Sequence, residues 1–383
     1  MLETVSLSED AALFILLGFL QKQRDDIPRW GFGRRLSERP AMNILFLTYP
    51  YPNYVPDLLL HGLRKLLGSA VIDYPRKDSL YRGELLGVAP EDQLISRLFP
   101  PESGEVDRED IAGKIEKGFF RYILCDSRLT AETVSAEGDR AWLRFGGIRS
   151  IPLFRDETRP LPRGLVLIDG HDYPFPIPPG PYVVCRRETD GTDGSVPLPM
   201  ALPEEIWQWI HAYRKEPKVY SVGFLGSDRP FLHGEDRRGV LEVIAARYPD
   251  SLLSTSVVPS TEAPRPSGRM SRDDYYRGLQ QCRIVLSLRG EGYDTFRFWE
   301  NAACSAVHVA QRMPLFIPDD FEHGRNILRF SSPDEMVREI DTVLEGGIRG
   351  EWIVQESHRH LARHHTTERR AAYFLDRMKD AFS

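Results

Sequence analysis

Leu288-Arg-Gly-Glu-Gly-Tyr-Asp-Thr-Phe-Arg-Phe-Trp-Glu300 is the stretch that decides the fold. Just upstream, Arg283-Ile-Val-Leu-Ser-Leu288 is a short continuous apolar run, the pattern of a strand buried on both faces of a parallel sheet. A glycine-containing loop follows, and Asp294 or Thr295 is placed to cap a helix running to Cys304. Strand, loop and helix in that order form the carboxyl end of a βα unit, where open α/β sheets bind ligands. The first turn of a helix offers free N–H groups and a positive dipole to anions. Arg297 and Glu300 are three apart and share a face, whereas Phe296, Trp299 and Ala303 point toward the sheet. A guanidinium for pyrophosphate beside a carboxylate for ribose hydroxyls suits a nucleotide. On spacing alone, the alternative is a plain surface Arg–Glu pair with Asp294 as an ordinary cap.

Working outward, the same alternation recurs on both sides. Asn43 to Thr48 is an apolar run broken by Pro50, Pro52, Asn53 and Pro56, and Asp57 to Gly68 then has helical spacing. Further strands are expected at 69–74, 120–125, 165–168 and 181–185, which makes residues 42–200 a Rossmann-like α/β domain. Pro197, Pro199, Pro203 and Pro217 surround one amphipathic helix, so 201–217 reads as a linker. A second α/β series begins at 218: strands at 219–225, 251–258, 283–288 and 307–310, and helices at 239–248, 273–281 and 294–304. The remainder to Ser383 is expected to be mostly helical. The fold class is therefore α/β, two domains in tandem facing a cleft, and a cleft between domains is the default place for a substrate.

Composition narrows the field. The chain has 383 residues, 41% hydrophobic and 28% charged, close to the globular average, which excludes wholesale disorder. Its net charge of −6 does not suit a protein whose main task is gripping a polyanion. Cys125, Cys185, Cys282 and Cys304 lie far apart and mostly in apolar runs, reading as reduced cysteines of a cytoplasmic protein. Residues 1–41 form a helical extension ahead of the first strand. Within it Ala11 to Leu20 is apolar but too short to span a membrane, so no stable membrane insertion is expected. That helix reads as one that docks on the domain or mediates self-association.

Arg289 to Val309 resembles the donor-site segment of exostosin-type and spore-maturation-type bacterial glycosyltransferases, in which a Gly-x-Asp/Ser-Thr/Ser-x-Arg-x-x-Glu helix precedes a small-residue turn and a strand. Leu167-Ile-Asp-Gly-His-Asp172 and Cys185-Arg-Arg-Glu188 resemble two upstream motifs of the same enzymes, and Val222-Gly-Phe-Leu-Gly226 sits where they open their second domain. The matches run in order over residues 165–345. The resemblance implies a GT-B fold: the second domain, 218–350, holds a nucleoside-diphosphate sugar, most readily a UDP-sugar. The first faces a glycan, protein, small-molecule or nucleobase acceptor, and a final helix within 351–383 crosses back to it. It implies a donor site from Gly226, Arg229, Arg289, Gly292, Tyr293, Asp294, Thr295, Arg297 and Glu300. Retaining members carry two glutamates with seven residues between them. Glu291 and Glu300 have eight, so Glu291 is not assigned that role and the stereochemistry stays open. Ser305 and His308 replace the usual Gly and Pro of the turn.

Transfer of a sugar to a hydroxyl with inversion needs a base for the acceptor proton. Asp169-Gly-His-Asp172 follows a buried strand at its carboxyl end, and Asp169, His171 and Asp172 are the catalytic candidates; an Asx-type turn is the alternative. No cofactor and no metal site are expected, the diphosphate being met by Arg289, Arg297 and the helix terminus. His360 and His364 lie four apart, but two ligands do not make a zinc site, and His358–His365 reads as a solvated basic face. Two further functions remain open on the same fold: a sugar-nucleotide epimerase or hydrolase, and a non-catalytic nucleotide-binding partner.

Overall fold

The computed structural model describes residues 42–82, 95, 97–100, 104–137, 140–173, 176–226, 237–253, 270–346 and 350–383. The extension at 1–41 and Arg229 lie outside the described residues.

The first half opens with β1 (Ile44–Leu47), α1 (Tyr54–Leu67) and β2 (Val71–Tyr74). α2 (Ile111–Glu116) leads to β3 (Tyr122–Asp126), followed by the hairpin β4 (Ala131–Glu137) and β5 (Arg140–Phe145). β6 (Leu165–Asp169), β7 (Val183–Arg186) and β8 (Val196–Pro197) complete this half. Its sheet has the order β2-β1-β3-β6-β7-β8, with every pair parallel. β1, β3 and β6 are buried throughout, which is why each is an apolar run rather than an alternating one, closed in β3 and β6 by an aspartate at the carboxyl end. α2 and the hairpin are additions to the expected series: α2 is barely two turns long, and β4–β5 pair only with each other.

α3 (Glu204–Ala212) stands between the halves, its Ile206, Trp207 and Ile210 buried. The second half runs β9 (Tyr220–Phe224), α4 (Arg237–Arg247), β10 (Leu252–Leu253), α5 (Arg272–Gln280), β11 (Cys282–Ser287), α6 (Phe296–Ala302), β12 (Val307–Gln311), β13 (Leu328–Phe330) and α7 (Pro333–Leu344). The sheet order is β10-β9-β11-β12-β13, again all parallel. β13 falls in a region expected to be helical; at three residues it is too short for a period to show.

The chain ends in two helices, α8 (Gly350–His364) and α9 (Thr367–Ala381). α9 packs on α1 of the first half so closely that a Cβ at Gly62 would collide with the Thr367 carbonyl. The histidines of α8 and His365 just beyond it correct the expectation of a solvated basic face. His358 and His365 are buried, and Nε2 of His360 and of His365 reach the Asp319 carbonyl at 2.7 and 2.9 Å. Arg359 and Arg363 take the exposed positions instead. Imidazole has an apolar ring and one donor that a backbone carbonyl can satisfy, so it buries more readily than guanidinium.

In each sheet the chain reverses direction across the sheet at one place, between β1 and β3 and between β9 and β11. Ligands of doubly wound sheets lie outside the strand ends at such points. The loops at the carboxyl ends of β6 and β11 meet one another directly, since Asp172 accepts a hydrogen bond from the Gly292 amide.

Candidate active site

On the second half, the reversal point is built from Gly226 after β9 and the loop 288–295 after β11. Arg297, in the first turn of α6, reaches back over it. Its Nε donates to the Leu225 carbonyl at 2.8 Å, and its guanidinium lies over the Phe224 ring. Residue 226 must be glycine for this, because a Cβ there would take the space of Arg297 Nη2. Arg289 lies against the Tyr293 ring, 3.9 Å from its centroid, and donates to its hydroxyl at 3.0 Å. Gly226, Arg289, Tyr293 and Arg297 thus share one end of the sheet, with two guanidiniums partly exposed. Beside Arg289 a small open recess is lined by Leu288, Gln311, Ser331 and Ser332.

Two expected donor residues are committed elsewhere. Asp294 does not cap α6. It is buried, and its carboxylate accepts from the Met200 amide at 2.7 Å and the Trp299 indole at 2.7 Å. Thr295 holds the N-cap position, but its side chain makes no capping hydrogen bond. Glu300 is also buried, accepting from the Tyr275 and Tyr276 hydroxyls at 3.0 and 2.9 Å. Burial pushes its carboxyl above the ordinary glutamate range against the opposing pull of Tyr276 and Arg297. The Arg297–Glu300 spacing says nothing of those tyrosines, which lie a full βα connection upstream.

His308 also points inward. Its Nε2 is 2.8 Å from the Ser287 hydroxyl and its ring meets Phe298 edge-on. Burial, with Arg329 nearby, lowers its pKa to about 3, so it is neutral at ordinary pH.

Across from this end stands the loop after β6. His171 Nδ1 lies 2.8 Å from Asp169 Oδ1, and the Asp169 carboxylate is fully buried. A carboxylate accepts only, so this contact assigns the proton to Nδ1 and leaves the lone pair on Nε2. Ser127, after β3, approaches the same Nδ1 at 3.3 Å. Gly170 is again needed for space, since a Cβ would strike Asn53 at the start of α1. Asp172 is taken up differently: it pairs with Arg187 and accepts from the Gly292 amide at 3.2 Å.

Two residues had no assigned role in the sequence reading. Arg237 is buried in α4 and donates to the carbonyls of Arg289 and Leu288 at 2.6 and 3.0 Å, holding the end of β11. Glu188, present only within a motif, contacts the second half through the amides of Tyr293 and Asp294. No pattern in the sequence marks either partner, because carbonyls and amides belong to every residue. Among the described residues, no group of three or more His, Cys, Asp or Glu is arranged to hold a metal ion. No described helix is long and apolar enough to cross a membrane.

Comparison with known proteins agrees with this architecture. Residues 230–376 match a family model described as glycosyl transferase-like, a description that does not single out the exostosin-type enzymes. HepE of Anabaena, solved with UDP-glucose, superposes with a TM-score of 0.51 at 13% identity, covering 88% of this chain and 100% of that one. A glycosyltransferase of Rickettsia africae superposes with a TM-score of 0.51 at 8% identity, covering 89% and 99%. No curated protein matches the sequence. At such identities the structures speak to the fold and the family model to the class. Residues 230–376 thus form a glycosyl transferase-like domain, set within a GT-B fold of two Rossmann-like sheets.

Proposed function

We propose that the protein transfers a sugar from a nucleoside-diphosphate sugar to a hydroxyl of its acceptor, with Asp169 and His171 as the base system and Arg289 and Arg297 as the diphosphate site. The observation that carries this reading is the placement of the Asp169–His171 pair opposite the end of β11, where Arg289 and Arg297 lie. A UDP-sugar is favoured as donor because HepE, which shares the fold, was solved with UDP-glucose.

In this mechanism the acceptor oxygen attacks the anomeric carbon as His171 Nε2 removes its proton. The bond from that carbon to the diphosphate oxygen breaks with its electron pair, and the departing diphosphate gains negative charge. Arg289 and Arg297 stabilise that charge, which grows toward the transition state, so their effect falls on the barrier. Asp169 holds the imidazole in the required tautomer and favours the imidazolium that forms. Attack opposite the leaving group gives inversion. Charge compensation by arginines makes the reaction metal-independent.

The test is calorimetric titration with UDP and GDP, followed by transfer assays with the corresponding sugars in EDTA. Arg297→Ala is expected to abolish nucleotide binding, and His171→Ala to retain binding without transfer. Failure of every nucleotide to bind would sink the reading. Donor consumption without any acceptor would replace it with a hydrolase or epimerase.

A further inference from the structure

Gly292, Tyr293 and Asp294 present three consecutive amide N–H groups at the end of β11, and each donates to a carboxylate of the first half. Gly292 donates to Asp172 Oδ1 at 3.2 Å, Tyr293 to Glu188 Oε2 at 3.0 Å, and Asp294 to Glu188 Oε1 at 2.9 Å. Arg187 ties the two acids together: it pairs with both and donates to the Gly170 carbonyl at 3.2 Å. Arg187 and Glu188 are almost fully buried, at 4% and 7% exposure, so solvent screens the Glu188 contacts little, whereas the Asp172 side chain is half exposed. Gly292 has no room for a side chain, since a Cβ would lie 2.5 Å from both Arg187 Nη2 and Glu188 Oε1.

We propose that Glu188 and Asp172 are positioning residues whose carboxylates latch the loop 292–294 to the first half and so fix the register between His171 and the donor-binding end of β11. Asp172 follows His171 directly, and Arg187 holds the carbonyl of Gly170 directly before it. The latch therefore grips the base loop and the donor loop at once. Charge-assisted bonds to backbone amides suit such a role: they are directional, and no side-chain freedom is lost on the amide side. The inference rests on the proposed roles of His171 and of the loop after β11, but the latch itself is measurable without turnover.

Spin labels at Lys117→Cys and Glu242→Cys, both exposed and one in each half, report the distance between halves, since the four native cysteines are buried. The unaltered protein is expected to give one narrow distribution that UDP leaves in place. Glu188→Ala with Asp172→Ala is expected to broaden it and move it to longer distance. An unchanged distribution in that variant overturns the latch. Widening on UDP addition to the unaltered protein also overturns it, because the amides would then serve the nucleotide. In steady state, Glu188→Gln, which keeps one acceptor oxygen, is expected to lower kcat about tenfold or more, as misplacement of reacting groups does. The donor KM and the pH profile should hold, and Glu188→Asp should recover part of kcat. A rise in donor KM with kcat unchanged would make Glu188 part of the donor site instead. A protein that binds no nucleotide yet shows the distance change would sink the donor-site reading and leave the latch standing.

Discussion

Arg297 and Gly226 occupy one another's space: the guanidinium fills the volume a side chain at 226 would need, while its Nε holds the Leu225 carbonyl at 2.8 Å. The strand end and the helix start are thereby coupled through an absent Cβ. The group in the way is the far end of a flexible side chain, so displacing it costs little in folding and much in position.

Gly226→Ala is accordingly expected to weaken nucleotide binding about tenfold, while urea denaturation shifts by less than about 1 kcal/mol. Calorimetry on the same preparation checks both. A large loss of stability with binding intact would mean that the glycine serves packing alone.

Asp169→Asn should lower kcat by about 10²–10⁴, the usual worth of a positioned general base, because the amide presents N–H as readily as oxygen to His171 Nδ1. Nucleotide affinity should not change. Weakened UDP binding in this variant would place the dyad in the donor site.

Tyr276→Phe removes a hydroxyl from the buried Glu300 carboxylate and is expected to cost about 1–3 kcal/mol in urea denaturation. If stability holds and nucleotide binding falls instead, Glu300 belongs to the ligand and not to the interior.

His308 supplies a pH dependence. Its folded pKa of about 3 lies below the unfolded value near 6.5. Above 6.5 both states are neutral, and the stability that depends on the neutral ring is fully present. As pH falls from 6.5 toward 3 only the unfolded chain gains the proton, so stability drops by about 1.4 kcal/mol per pH unit from this group. Denaturation of His308→Asn across pH 6 to 4 should show a slope shallower by about that amount. Identical slopes would mean that the imidazole is protonated in the folded state.

Much of the architecture was legible because its signals are local. Ile44–Leu47 and residues 165–168 and 284–286 are apolar runs, as strand segments buried on both faces must be. Gly226, Gly292 and Arg297 stood out by residue type beside a strand end. The hairpin β4–β5 and the strand β13 did not, being too short or too mixed for their period to show.

The linear chain by itself thus determined the alternation of strands and helices, the two halves and the strand ends that carry the charged groups. What each charged group does was decided in three dimensions. Asp294 turned from a cap into an acceptor for Met200 and Trp299, and Glu300 was enclosed by two tyrosines. His358 and His365 turned inward, and Glu188 became a bridge between halves. The physical reason is common to all four. A polar side chain taken out of water needs partners, and those partners are set by the packing of elements far apart in sequence.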